Sequence, residues 1–198
     1  MRIPSDLEIR SLHERFAPDP AALDLVHTHC AIVAEMAAQL IARNHLDLDA
    51  GLVRAGCLLH DIGVYRLYRR DGSLDHGDYI RHGVLGHELL RELGFPEVLC
   101  RFCSRHTGVG ITRGDIRRQA LPLPPADYVA RTPEERLVMY ADKFHSKSAP
   151  PRFLTAATYR SRLIEFGPDK VAAFAAMVAD YGEPDLGPLA AAHGHALR

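Results

Sequence analysis

The chemistry in this sequence begins with His60-Asp61, followed by Ile62-Gly63 at the end of an apolar stretch. An imidazole nitrogen beside a carboxylate suits Zn, Mn, Fe or Ni better than Ca or Mg. Neighbours in a helix point about 100° apart. At a helix end such a pair can still converge on one ion while the chain turns away. Other metal-ligating residue types recur along the chain. His29 shares a helical face with Leu25, Ile32, Met36 and Leu40, and His82 shares one with Leu85, Leu89 and Leu93. His106 follows a helix end and precedes Thr107-Gly108, and Asp142 lies on a face with Val138, Ala141 and His145. A carboxylate on an apolar face needs a partner, because a buried unpaired charge is costly. A lone histidine on such a face is more often a satisfied core residue than a ligand. The joint pattern, not any one of the 12 histidines, carries the argument.

The elements that must position these groups read as helices. Ser5 and Glu8 form a capping-box pattern, and Asp19-Pro20 is a cap followed by Pro at the first helical position. A helix is expected from Pro20 to Asn44, another from Asp49 to His60 broken by Gly63, and another from Asp78 to Leu93 stopped by Gly94. Phe95-Pro96 leads into a helix ending near Arg105, and residues 120 to 132 form a stiff loop with three prolines, Pro122, Pro124 and Pro125. Thr132-Pro133-Glu134-Glu135 starts a helix expected to run to Pro150-Pro151. Two more helices fill 155 to 181, split at Gly167-Pro168, and the tail from Asp185 reads as weakly helical. With no alternating strand run and no repeat, the fold class is all-α.

Composition narrows the function. The chain has 198 residues, 47% hydrophobic and 25% charged, with a net charge of −1. That balance fits a globular protein with its own core and gives no sign of a nucleic-acid or polybasic membrane surface. The N-terminus lacks an apolar signal core, and the longest apolar stretch, Ala31 to Ala42, is interrupted by Glu35 and Gln39. Cys30, Cys57, Cys100 and Cys103 are too sparse for a disulfide scaffold, so a reduced, cytoplasmic protein is expected. Cys100 and Cys103 read as small hydrophobes, since no second pair completes a zinc site. His193 and His195 read as solvated tail residues, Arg117-Arg118 as a solvated helix face, and His76 as either a cleft or a turn residue.

The ordered set His29, His60-Asp61 and Asp142 resembles the signature of HD-superfamily phosphohydrolases, with residues 60 to 63 as the His-Asp-Ile-Gly variant. His82-Gly83-Val84-Leu85-Gly86 and His106-Thr107-Gly108 resemble the extra histidines of the two-metal branches, most of all the bacterial hydrolases of diadenosine tetraphosphate. The resemblance covers roughly residues 20 to 150. It implies one HD-type helical domain over 1–198, with 151–198 as a C-terminal helical extension. It further implies that His29, His60, Asp61 and Asp142 hold one metal. Asp61 would bridge to a second, held by His82 and His106.

The implied cofactors are two divalent transition metals, Fe or Mn foremost, with Zn, Ni and Co compatible. The implied reaction is hydrolysis of a phosphate ester or anhydride by a metal-bound hydroxide. Many relatives carry Lys directly after the motif, where this chain has Val64, so the phosphate-facing cation must come from elsewhere. Arg66, Arg69, Arg70, Lys143 and Lys147 are the neighbours. Besides Asp61, the catalytic candidates are Lys143 and His145, as outer-ligand or phosphate-facing groups, and His87, as a group approaching the substrate. The expected partner is a small phosphorylated metabolite or nucleotide. No nucleic-acid polymer and no membrane are expected, and a homodimer is an allowed assembly. The alternatives are a mixed-valence di-iron oxygenase, which uses the same six ligands, and a non-catalytic nucleotide-binding regulator.

Overall fold

The computed structural model describes residues 2–198. Local capping chemistry sets where most helices begin. Helix α1 spans Asp6–Phe16 behind the Ser5/Glu8 capping box. Helix α2, Pro20–Asn44, starts where Asp19 accepts from the Ala22 amide at 2.8 Å. Helix α3, Ala50–Leu59, starts where Asp49 accepts from Leu52 at 2.9 Å. Each cap satisfies an amide that the first helical turn leaves without a partner. After α3 the chain tightens into a 3-10 turn, Ile62–Leu67, and a second such turn, Tyr79–Arg81, leads into α4, His82–Glu92. Helix α5 is Glu97–Ser104, α6 is Arg113–Gln119 and α7 is Pro133–Ala141. Helices α8, Ala156–Leu163, α9, Pro168–Tyr181, and α10, Leu186–His193, complete an all-α fold.

Helix α2 packs on α3 and α7, and α4 packs on α5 and on the turn after α3. The shared core includes Ile32, Met36, Leu40, Leu59, Leu89, Phe102, Leu137 and Tyr140. Among the described residues, α2 is the one helix long and apolar enough to cross a membrane by length and composition. Its inner face carries Val26, His29, Ile32 and Met36 into the bundle.

Four stretches differ from the sequence reading. Residues 113–119 form α6, for which the sequence reading of Arg117-Arg118 as a helix face gives no bounds; Thr112 and Asp115 make a complete capping box that starts it. The helix from Pro133 stops at Ala141 rather than at Pro150. Asp142–Phe144 tightens into a 3-10 turn, and β1, His145–Ser146, then pairs antiparallel with β2, Arg152–Phe153. Beyond Phe144 that stretch offers no apolar helical face, so its backbone pairs with β2 instead. The helix expected from Asp78 begins as a 3-10 turn and becomes α-helical only at His82. The tail from Asp185 is a full element, in which α10 ends at Gly194 in the left-handed region and β3, Ala196–Leu197, pairs parallel to β2.

Candidate metal centre

The candidate ligands come from the ends or inner faces of five helices. His29 projects from the middle of α2, and His60 caps the C-terminus of α3. Asp61 follows where the chain turns away, His82 opens α4, and His106 follows α5. Asp142 caps α7. Glycines let two of these elements close on each other. A Cβ at Gly63 would lie 2.1 Å from the His82 carbonyl oxygen and 2.2 Å from the Gly86 amide nitrogen. The turn carrying Asp61 thus rests directly on the backbone of α4, which brings His82 to Asp61.

The two oxygens of Asp61 face two different sets of groups. Oδ2 lies 3.2 Å from His29 Nε2 and 3.4 Å from His60 Nε2. Asp142 Oδ1 joins that set at 3.0 Å from His29 Nε2 and 3.5 Å from His60 Nε2. Asp61 Oδ1 faces His82 Nε2 at 3.4 Å and His106 Nε2 at 3.5 Å, and those two nitrogens are 2.9 Å apart. Metal bonds of about 2.1 Å put neighbouring ligand atoms roughly 3.0 Å apart around an octahedral ion and about 3.4 Å apart around a tetrahedral one. The spacings therefore suit two cations sharing one carboxylate.

The hydrogen bonds on the far side of each ring point the same way. His60 Nδ1 donates to Cys57 O at 2.6 Å, His82 Nδ1 to Tyr79 O at 2.6 Å, and His106 Nδ1 to Phe102 O at 3.0 Å. A carbonyl only accepts, so each Nδ1 carries a proton, and a ring that is neutral then turns its Nε2 lone pair to the centre. Burial opposes charge on His60, but the carboxylates of Asp61 and Asp142 raise it, so a bound cation would have to replace its Nε2 proton. Burial pushes the His82 imidazole down to about 3 and also lowers His106, which keeps both rings neutral. Asp61 Oδ1 is buried and has no hydrogen-bond partner. An anionic oxygen facing two lone pairs is repulsive unless a cation lies between them. The donor set thus fits a metal pair, and this orphaned oxygen is the observation that says so.

Two lysines supply further positive charge. Lys143 Nζ donates to Asp142 Oδ2 at 2.6 Å and to the His106 carbonyl at 2.9 Å. Lys147 pairs with Asp61 Oδ2 and lies 5.5 Å from the Tyr79 ring centre. Burial would raise the Asp61 carboxyl, but Lys147 and the surrounding histidines hold it well below the usual carboxylate range. Burial would lower Lys143, and the carboxylate of Asp142 raises it instead, so it stays charged. Beside these groups opens a cavity of about 500 Å³, lined among others by Tyr79, Thr107, Lys143, Lys147, Tyr159 and Arg162.

The structure thus brings His29, His60, Asp61, His82, His106 and Asp142 together, with Lys143 and Lys147 beside them. His145 joins them through its Nδ1, 2.9 Å from His29 Nδ1. His76 also lines the cavity. His87, expected to approach the substrate, instead bonds Ser104 Oγ at 3.0 Å and faces Glu97 at 3.3 Å, outside the cavity. Arg66 pairs with Glu92 and Arg69 with Asp75, and neither they nor Arg70 line the cavity. His195 was read as a solvated tail residue, yet its Nδ1 lies 3.0 Å from His145 Nε2. Nothing in the sequence marks Tyr159 or Arg162, which also line the cavity. No local motif marks these three, because they reach the site from beyond Pro151 by tertiary packing.

Residues 26–147 match the HD domain family. The chain belongs to that family, and its fold and cluster of histidines and aspartates agree with the assignment. An uncharacterized protein of Methanocaldococcus jannaschii is 45% identical over 117 residues, which is 58% of this chain and 62% of that protein. A tRNA (cytidine(56)-2'-O)-methyltransferase of Picrophilus torridus is 35% identical over 123 residues, 62% of this chain and 32% of that protein. The chain thus spans less than two thirds of the length of these relatives. Among solved structures, the HD domain of the L. monocytogenes phosphodiesterase PgpH is similar with a TM-score of 0.51 and 17% identity, over 84% of this chain and 92% of that one. The same domain in complex with cyclic-di-AMP gives a TM-score of 0.50 at 16% identity, over 88% and 97%. At these identities the likeness is one of fold.

Proposed function

We propose that the chain is a metal-dependent phosphohydrolase acting on a small phosphorylated metabolite, foremost a nucleotide. In this reading His29, His60, Asp61 and Asp142 hold one divalent transition metal, and Asp61, His82 and His106 hold a second. Iron or manganese is the first choice for both. The carrying observation is the division of Asp61, with one oxygen in each ligand set and Oδ1 buried without a hydrogen-bond partner. Such a metal pair, when bound, lowers the pKa of water and clamps the oxygens of a displacement at phosphorus.

The chain's own residues do the rest. Asp61 keeps the two positions in register, and three backbone carbonyls hold His60, His82 and His106 in the ligating tautomer. Lys143 is locked between Asp142 and the His106 carbonyl, so its charge stays at the cavity wall where phosphate oxygens would lie. Lys147 supplies a second cation in place of the lysine that Val64 replaces. The cavity volume suits a nucleotide-sized ligand, and the named ligand of the PgpH HD domain is itself a nucleotide. The resemblance to diadenosine tetraphosphate hydrolases belongs to the same substrate class.

The test is phosphate or nucleotide release, assayed without oxygen, from a panel of nucleotides with Mn²⁺ or Fe²⁺ supplied. Release is expected anaerobically. Lys143→Ala should lower it by about 10–100-fold, the scale of one or two charge-assisted hydrogen bonds. Arg117→Ala, on the exposed face of α6, should leave it unchanged. Strict dependence on oxygen would overturn the hydrolase reading in favour of oxygenase chemistry. Equal effects of the two substitutions would remove Lys143 from the mechanism.

A further inference from the structure

His29 differs from the other three candidate histidine ligands. They give their Nδ1 protons to backbone carbonyls, whereas His29 Nδ1 meets another ring, that of His145, at 2.9 Å. His145 in turn meets His195 through Nε2 and Nδ1 at 3.0 Å. The ring centres of His29 and His145 are 5.2 Å apart with 26° between planes, and those of His145 and His195 are 5.1 Å apart with 20° between planes. A ring nitrogen lies roughly 1.1 Å from its ring centre, so these separations leave little lateral offset. The rings meet end to end, each nitrogen along the other's in-plane lone pair, rather than face to face.

This chain of rings has one consistent assignment. If Nε2 of His29 ligates a cation, its proton sits on Nδ1 and is donated to His145. Nδ1 of His145 then accepts, so His145 carries its proton on Nε2 and donates it to Nδ1 of His195. His195 accepts, and its own proton sits on Nε2. A choice made at the metal position thus fixes tautomers across three rings, from His29 through His145 to His195. The converse also holds, because an acceptor presented by His195 favours the His145 tautomer that accepts from His29.

The fold builds this contact deliberately into its last elements. Gly194 takes a positive φ of 65°, which ends α10 and turns the chain back. Arg198 N donates to Phe153 O at 3.0 Å, and Thr155 N donates to Arg198 O at 2.8 Å. Phe153 is the register partner of His145 and packs edge-on against its ring at 4.9 Å. The three short strands therefore hold His195 against His145. Phe153, Gly194 and His195 all lie outside the 26–147 match to the HD family.

We propose that His195 is a positioning residue of the metal centre: through His145 it fixes the tautomer and orientation of His29, so that the segment after α10 completes the first metal position. This rests on the metal reading of the site given above. His195 does not line the cavity, so its influence travels through His145 and not through substrate contact.

The test is titration of the full chain with Co²⁺ alone, followed by its visible absorption in competition with a chelator. Loss of an outer partner of a metal-binding histidine typically weakens binding roughly 10–100-fold, which is the expected effect of His145→Ala. His195→Ala, one ring further out, should weaken one of the two bound Co²⁺ ions about 3–10-fold and shift its absorption. His195→Asn should restore both, since its Oδ1 takes the place of the accepting Nδ1. His145→Asn keeps the acceptor for His29 but loses the donor to His195. It should match His195→Ala, and combining the two should add nothing.

His195 is half-buried, so its variants are expected to fold, and far-UV dichroism with thermal melting checks that they do. Affinity and spectrum unchanged in His195→Ala would overturn the inference and leave the metal centre standing. So would failure of His195→Asn to restore them, which would mark a packing role. A parent protein that binds no Co²⁺ at all would instead overturn the metal reading itself.

Discussion

Asp61 is the residue through which the two halves of the centre communicate. It is 1% exposed, its Oδ2 is shared by His29, His60 and Lys147, and its Oδ1 faces His82 and His106 without a hydrogen bond. Lys147 offsets the charge at Oδ2, but a buried oxygen left without a hydrogen bond still costs about 1–3 kcal/mol, more when charged, and a cation at Oδ1 would offset that cost. Asp61→Asn removes the charge seen by both ligand sets while nearly preserving shape. Elemental analysis of protein purified without chelator should then fall from close to two transition metals per chain to close to none. His82→Ala touches only the Oδ1 set and should fall to about one. An Asp61→Asn protein that retained both metals would separate the carboxylate from metal binding. A His82→Ala protein that lost both would show one site rather than two.

Elements reach this geometry by backbone contact, and Gly63 is where that contact is closest. A methyl group there would meet the His82 carbonyl and the Gly86 amide at 2.1 and 2.2 Å, so the turn and α4 must part. Overpacking of this kind costs about 1–3 kcal/mol, and more where backbone rather than a side-chain tip must yield. Gly63→Ala should lower urea-unfolding stability by at least that amount and weaken the Oδ1-facing metal position, because parting the elements draws His82 from Asp61. Gly187→Ala, in α10, where an added Cβ would meet Asp185 Oδ1 only at 3.8 Å, should be neutral or slightly stabilising. Equal effects at the two sites would mean that the close approach is not what Gly63 is for. The same contact shows what a sequence can carry. Ser5, Asp19, Asp49 and Thr132 announce helix starts because a cap is a local event, and the six candidate ligands sit at helix ends or on apolar faces that periodicity exposes. The pairing of β1 with β2, the return of β3 and the His145–His195 contact join residues up to 50 positions apart. Two-residue strands have no alternation to read, so nothing local marks these features.

At the scale of the molecule, the metal centre proposed above would be a clamp as well as a reaction site. Its candidate ligands come from α2, the ends of α3, α5 and α7, and the start of α4, so a bound cation ties together helices that otherwise meet through apolar side chains. Without metal cations the same place concentrates one buried and one partly buried carboxylate and four converging imidazole nitrogens, held by Lys143 and Lys147. In the proposed reading folding and metal binding would be linked: a cation that binds the folded chain and not the unfolded one stabilises it by about 2.7 kcal/mol at a free concentration of 100 Kd. For a chain of this size each kcal/mol moves the melting temperature by roughly 2–4 °C, so loading one site should raise it by about 5–10 °C over chelator-stripped protein. The shift should grow with metal concentration, since the linkage is logarithmic in free ion. It should nearly vanish in Asp61→Asn, whose apolar core is untouched but whose bridge is gone. Ca²⁺ at equal concentration should do much less, because imidazole nitrogens are poor ligands for it. The measurement is a set of calorimetric scans at fixed pH across Mn²⁺, Co²⁺ and Ca²⁺ concentrations. Equal shifts with Ca²⁺ would indicate general ionic stabilisation of the acidic groups. No shift, alongside stoichiometric Mn²⁺ or Co²⁺ binding, would mean that the unfolded chain binds the ion as tightly as the folded one, so that binding does not need these helices brought together and the clamp does not exist.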